Sequence, residues 1–202
     1  MPRLAGQIDL SKNEAILDAA IEVMAARGVA APLEEIARRA CVSKQTIYNH
    51  YGSKAELVRA VVERRVDEIT APLAGPEAVE HPAEALAEFG REMLTSLLRP
   101  RSAGFLRMAI QAATAMPEIA SAWYEAGPRA SRRKLADFLS LEVAAGRLAI
   151  DDTLEAAEFF TGMLLGSYQT ASLLGVERAL DEAKIERIAS EAAARFLKAY
   201  AP

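Results

Sequence analysis

The chain is short of the residues on which many functions depend. Cys41 is the only cysteine among 202 residues, which excludes an intrachain disulfide and fits a reducing compartment. Only two histidines are present, His50 and His81, and no metal-ligand spacing occurs. There is no Gly-rich phosphate loop after a strand and no Gly-x-Ser-x-Gly elbow. An enzyme is therefore not expected, nor a cofactor or a bound metal. Met1 to Asn13 has no apolar stretch between a basic end and a cleavage site, so the expected address is cytoplasmic.

Aromatic residues make up 6% of the chain, and no segment alternates with period two over a useful length. Half of the chain, 51%, is nonetheless hydrophobic, with Ala and Leu dominant and Glu abundant. That balance predicts an all-α protein. Net charge is −4, but it is unevenly placed. The first 65 residues hold 10 Lys and Arg against 8 Asp and Glu, leaving 14 against 20 for the rest. Mild basicity at one end matters only through where the charges sit. One uncharged run, Phe159 to Val176, approaches the length of a membrane span. Thr161, Ser167, Gln169, Thr170 and Ser172 interrupt it, so a buried helix at a subunit interface is the better reading and no membrane partner is expected.

Helix boundaries can be read along the chain. Ser11 with Glu14 forms a capping box, followed by Ile16, Ala19, Ala20, Val23 and Met24 at helical spacing, and Gly28 supplies a stop. A second helix opens at Pro32, with Glu34 and Glu35 in its first turn. Ser43 caps a short third helix to about His50. Ser53 with Glu56 starts a long fourth helix toward Ile69. Ala71 to Pro82, with three prolines and a glycine, reads as a connector. Helical patterns follow at roughly 83–98, 103–115, 117–126, 129–145, 153–174 and 181–200, with Gly146 ending one and Asp152 with Glu155 capping the next. The expected fold is all-α, about nine helices in total. An N-terminal three-helix head (residues 1–54) is continuous with a larger helical domain (55–202).

The informative stretch is Ile36 to Leu57. A helix, a turn of about three residues at Cys41–Ser43 and a second helix have the anatomy of a helix-turn-helix. Ile36, Ala37, Ala40, Val42 and Ile47 supply its apolar face. Lys44, Gln45, Thr46, Tyr48 and Asn49 are left as an outer polar surface, which is either a solvated face or one that meets DNA.

Residues 12–57 resemble the DNA-binding domain of the TetR/AcrR regulators. The resemblance is carried by Ala-Ile-Leu-Asp-Ala-Ala at 15–20, Gly28, Ile36-Ala37, Val42-Ser43, Thr46-Ile47-Tyr48, His50-Tyr51, and Ser53-Lys54 followed by Leu57. It implies a recognition helix opening at Ser43, with Lys44, Gln45 and Thr46 against base edges. Tyr48 then packs along the groove, and His50 and Lys54 hold phosphates, with Asn49 also counted among the DNA-binding residues. Tyr51 is an aromatic used for packing. Three features depart from the family pattern. The loop from Gly28 to Ile36 is one residue short, Ala31-Pro32 replaces a hydroxyl cap, and Cys41 stands where glycine is common, implying a slightly different turn.

Leu106-Arg107, Pro117-Glu118, Trp123-Tyr124-Glu125, Gly127-Pro128 and Gly146-Arg147-Leu148 extend the resemblance to an AcrR-like helical domain that dimerises and binds an effector. The last two helices carry broad apolar faces. Gly162 and Gly166, with Ile185, Ile188, Ala192 and Phe196, are the candidate homodimer interface, or else an ordinary intrachain pair. Met93, Leu97, Phe105, Met108, Met116, Trp123, Tyr124, Phe159 and Met163 are candidates to line an apolar effector cavity with Gln111 as polar handle, or else plain core. The resulting expectation is a DNA-binding transcriptional repressor, released from its double-stranded operator by a small apolar or amphipathic effector. An effector-independent regulator or architectural protein is the alternative.

Overall fold

A computed structural model describes residues 9–176 and 180–202. The first eight residues, part of the stretch examined for a secretion signal, lie outside them. Twelve α-helices and no strand occur among the described residues: α1 (Leu10–Arg27), α2 (Leu33–Arg39), α3 (Lys44–Tyr51), α4 (Lys54–Thr70), α5 (Pro76–Glu80), α6 (Pro82–Leu97), α7 (Pro100–Ala115), α8 (Pro117–Tyr124), α9 (Ala130–Ala144), α10 (Thr153–Leu165), α11 (Tyr168–Leu174) and α12 (Glu182–Ala199). The count exceeds the expected nine: the sequence patterns mark ten segments, and two more helices come from the connector and from one divided run. The connector at 71–82 is not irregular, since its prolines sit at helix starts and build a 3₁₀ turn (Ala71–Leu73) and α5. The apolar run at 153–174 is not one helix. Gly166, at φ +44, closes α10 and the chain restarts as α11. No described helix is long and apolar enough to cross a membrane.

Capping follows side-chain chemistry closely. Asp9, not Ser11, caps α1, its carboxylate accepting from the Ser11 amide at 3.1 Å. Pro32 is the cap of α2 and not its first residue, so that helix starts without a side-chain hydrogen bond. Asp152 accepts from the Leu154 and Glu155 amides at 2.9 and 3.0 Å, and Asp181 from Lys184 at 2.7 Å. Gly146 ends α9 at φ +71, with the Arg147 amide donating to Glu142 O and the Gly146 amide to Val143 O. The buried Glu142 carboxylate is held there by a two-pronged bond from Arg147 at 2.6 and 2.7 Å.

The chain divides into two compact units. One runs to Arg64 and includes Arg101–Ala126; the other comprises Arg65–Pro100 and Gly127 onward. The first buries Ile16, Ala20 and Met24 of α1, Ile36 and Ala37 of α2, Ile47 of α3 and Leu57, Val58 and Val61 of α4. Within it α7 approaches α1 closely, since a Cβ on Gly104 would stand 3.1 Å from that of Ala25. The second unit packs α6, α9, α10 and α12 around Phe89, Leu94, Leu139, Phe160 and Phe196. Phe160 stacks against Phe89 with ring centroids 6.2 Å apart and meets Phe196 edge-on at 5.2 Å. Gly90 lets these helices close in: a Cβ there would meet Leu164 Cδ2 at 2.9 Å and Ala189 Cβ at 3.2 Å.

Candidate nucleic-acid interface

The turn between α2 and α3 is a Schellman motif. The Val42 amide donates to Ala37 O at 2.9 Å, and the Cys41 amide to Arg38 O at 3.3 Å. Such a turn needs one left-handed residue, and Cys41 takes that place at φ +53. The cysteine therefore does not alter the turn, as the departure from glycine had implied. It adopts the glycine conformation at a steric cost. The Cys41 side chain is exposed.

Ser43 then caps α3. Its hydroxyl oxygen accepts from the Thr46 amide at 3.0 Å and lies 2.8 Å from Thr46 Oγ1. At the far end Gly52, at φ +74, returns its amide to Tyr48 O at 2.8 Å. Between these stops only Ile47 is fully buried. One anchor per two turns leaves the other faces free, so Lys44, Gln45, Tyr48, Asn49 and His50 are all exposed. Thr46 is half-buried because it completes the cap. Gln45 Nε2 donates to Asn49 Oδ1 at 2.6 Å, one turn along. Lys44 is ion-paired with Glu34 of α2 and lies 5.5 Å from the Tyr48 ring centre. Hydrogen bonding between them holds the Glu34 carboxyl below the usual range and raises the Lys44 ammonium. A solvent-exposed surface pair of this kind is weak, so it does not prevent Lys44 from reaching another anion.

Long-range contacts fix α3 in the head. Tyr51 is half-buried and donates its hydroxyl to Asn13 of α1 at 2.6 Å. Burial, aided by the Glu14 charge, pushes its pKa up to about 12. His50 meets the Tyr51 ring edge-on at 4.6 Å. Arg64 of α4 forks onto Glu14 and onto Asp18, the latter at 2.7 Å. Glu22 of α1 takes Arg39 of α2 on one oxygen and Arg101 of α7 on the other at 3.4 Å. These partners lie up to 79 residues apart, and helix periodicity within one segment carries no signal of them.

Lys54 behaves differently from the other expected DNA contacts. It is half-buried and its ammonium donates to the carbonyl oxygens of Val29 and Ala31. Ser43, Lys44, Gln45, Thr46, Tyr48, Asn49 and His50 are brought onto one short helix, and Lys54 is turned into the head.

The expected effector residues are not gathered in one unit. Phe105, Met108, Gln111, Met116, Trp123 and Tyr124 belong to the first, and Met93, Leu97, Phe159 and Met163 to the second. Phe105 and Met108 are buried, Trp123 is half-buried, and Met116 and Tyr124 are exposed. Gln111 lies beside the end of α1, where a Cβ on Gly28 would be 3.1 Å from Gln111 Oε1. Met93 and Leu97 pack in the core of the second unit. Phe159 and Met163 do not line an interior. α10 turns Ala156, Ala157, Phe160 and Leu164 inward, leaving Phe159 and Met163 55% and 43% exposed. The helix phase thus makes Phe160, absent from the expected set, the core aromatic.

The expected dimer residues also separate. Ala192 and Phe196 are buried in the second unit's own core, with Ile185 and Ile188 packed against it. That stripe is the intrachain face of α12, correcting its assignment to a partner subunit. Gly162 and Gly166 remain exposed, and nothing lies near a Cβ built on Gly162.

Residues 16–61 match the family model described as bacterial regulatory proteins, tetR family, and residues 84–202 match that of the AefR-like transcriptional repressor C-terminal domain. The chain belongs to the TetR family of transcriptional regulators. Members are DNA-binding regulators, which agrees with the exposed polar face of α3. A 55-residue segment is 51% identical to the HTH-type transcriptional activator FasR of Mycolicibacterium smegmatis, covering 27% of this chain and 25% of that protein. A 99-residue segment is 33% identical to the HTH-type transcriptional regulator SrpR of Pseudomonas putida, covering 48% and 45%. The matches thus span less than half the length of either relative. Among solved structures, the flavonoid-responsive regulator FrrA is 31% identical with a TM-score of 0.71, covering 95% of this chain and 97% of that one. A protein from Mesorhizobium loti, described as of the TetR family, is 26% identical with a TM-score of 0.77, covering 96% and 100%.

Proposed function

We propose that this TetR-family regulator is a homodimeric repressor that binds operator DNA through α3 and is released by a small amphipathic or apolar effector. The observation carrying the DNA half is the surface of α3: a helix capped at both ends, anchored by Ile47, with Lys44, Gln45, Tyr48 and Asn49 exposed. Lysine donates to guanine, glutamine pairs with adenine and Thr46 faces a base edge in the major groove, while Ser43 and His50 hold backbone. A dimer presents two such helices about one helical turn of DNA apart. Its interface is assigned to the exposed apolar face of α10, formed by Phe159, Gly162, Met163 and Gly166.

Repression and effector binding are supported by the match of residues 84–202 to an AefR-like repressor domain and by the likeness to FrrA. Flavonoids, planar molecules with an apolar body and hydroxyl edges, are therefore the first probes. The test is titration of a flavonoid panel into the protein bound to an operator selected from random DNA, following fluorescence anisotropy of the DNA and the emission of Trp123, the single tryptophan. The proposal expects release by at least one compound together with a change in Trp123 emission. DNA binding untouched by flavonoids and by a wider apolar panel supports an effector-independent regulator.

A further inference from the structure

Hydroxyls inside helices of this fold return to their own backbone. Thr70 gives its proton to Val66 O at 2.7 Å and Ser140 to Ala136 O at 2.8 Å, each four residues back. Ser131 does not. It is 7% exposed, and its Oγ has no hydrogen-bond partner among the described residues. It stands on the inward stripe of α9, where Ser131, Leu135, Phe138 and Glu142 follow at helical spacing and all are buried. Leu135 and Phe138 belong to the second unit's core, and the Glu142 carboxylate has Arg147. The residue four before Ser131 is Gly127, inside a π-helical turn, Glu125–Arg129, that also contains Pro128. Wider winding there offsets the carbonyl that an α-helix would present to the hydroxyl. The next carbonyl, Pro128 O, accepts from Arg132 Nε at 3.0 Å. An unbonded hydroxyl on an apolar face is destabilising, and in a native fold such a group calls for an explanation.

We propose that the Ser131 hydroxyl is the polar anchor of the effector, bonding one uncharged hydroxyl or carbonyl oxygen of a molecule with an otherwise apolar body. The proposal rests on the effector-responsive reading above and deepens it. A hydroxyl without a protein partner gives up nothing when it turns to a ligand, whereas one already bonded only exchanges bonds. The ligand oxygen is uncharged because the neighbouring cations are engaged or face outward. Arg132 is bonded to Glu158 at 2.7 Å and Lys134 to Asp67 at 2.6 Å, while Arg129 and Arg133 are exposed. An anion drawn in beside Ser131 would be buried unpaired. Gln111, the handle expected from sequence, is exposed beside the end of α1 in the first unit. The π turn next to Ser131 agrees with this role, since such turns recur at functional sites.

The experiment measures binding by isothermal titration calorimetry to wild type, Ser131→Ala and Ser131→Cys. The probes are a panel of hydroxylated flavonoids and a wider set of apolar compounds, some with carboxylates and some without oxygen. The tightest binder of wild type should carry an uncharged hydroxyl or carbonyl. Ser131→Ala should bind it roughly fivefold to tenfold more weakly, the scale of one lost hydrogen bond. Ser131→Cys, close in size but a weak donor, should lose nearly as much. Operator affinity without added compound should stay at the wild-type value. The urea midpoint of Ser131→Ala alone should equal or exceed that of wild type, because the variant deletes an unbonded hydroxyl. Equal affinity of that compound for wild type and Ser131→Ala would overturn the anchor and leave the effector-responsive reading standing. So would a carboxylate or an oxygen-free compound as the tightest binder. A lowered midpoint would mean that the hydroxyl is already bonded in the folded chain, and the anchor falls. If no compound binds wild type, the effector-responsive reading fails and the anchor with it.

Discussion

Gln45 and Asn49 offer the sharpest test of how α3 reads DNA. The hydrogen bond from Gln45 Nε2 to Asn49 Oδ1, 2.6 Å long, makes the two amides one unit. It leaves Gln45 with its carbonyl oxygen and one N–H, and Asn49 with both N–H donors, which suits the acceptor and donor of an adenine edge. Gln45→Ala removes a bidentate base contact, worth about 2 kcal/mol or roughly 30-fold in operator affinity. Asn49→Ala frees the glutamine side chain, whose re-immobilisation costs about 1 kcal/mol, or roughly fivefold. In the double variant there is no glutamine left to orient, so its loss should stay near 2 kcal/mol, about 1 kcal/mol less than the sum. The assay is anisotropy of a labelled operator at one salt concentration, with scrambled DNA as reference. Costs that add to within about 0.4 kcal/mol would refute the coupled reading. Equal losses on scrambled DNA would refute the assignment of Gln45 to a base edge.

Cys41→Gly should raise stability by about 0.5–1 kcal/mol, because relief of the left-handed conformation exceeds the added chain entropy; a lower urea midpoint would contradict that. Phe160→Ala should cost about 3–5 kcal/mol, since it removes a fully buried ring that touches Phe89 and Phe196, and urea unfolding reads this directly. Phe159→Glu on the exposed face of α10 should convert dimer to monomer by light scattering without lowering the urea midpoint of the isolated fold; an unchanged dimer would move the interface elsewhere. Tyr51 has its pKa raised to about 12, so unfolded chains lose that proton first, and stability should fall as pH rises from about 10 toward 12. Tyr51→Phe should flatten that alkaline limb of the pH–stability curve, and an equally steep limb would contradict the assignment.

Much of the head was legible because its signals are local. A cap, a stop glycine and a 3.6-residue apolar rhythm lie within a few residues of what they govern, so Gly28, Ser43 and Ile47 mark their elements directly. The division of α3 into one buried residue and an exposed polar face follows from the same periodicity. Elements of the body were legible to a similar degree, as the cap at Asp152 and the stop at Gly146 illustrate. Their faces were less so, because apolar residues occupy most of the circumference of α10 and composition does not choose between Phe159 and Phe160. The same ambiguity put Ala192 and Phe196 on an outer surface, although α6 and α10 enclose them.

The sequence by itself determined that the chain is helical, roughly where the helices of the head begin and end, and which short helix carries the polar face of a helix-turn-helix. Each of these depends on residues no more than a turn or two apart, whose backbone preferences and side-chain caps act without help from the rest of the chain. Tertiary structure alone decided where charges and apolar faces are used. Arg64 reaches Glu14 across 50 residues, Lys54 closes on carbonyls 23 and 25 residues back, and α10 turns Phe160 inward because Phe89 and Phe196 arrive from distant segments to meet it. A lysine looks the same in sequence whether its ammonium points to water, a phosphate or a loop carbonyl. The choice is made by whichever partner the fold brings within hydrogen-bond reach.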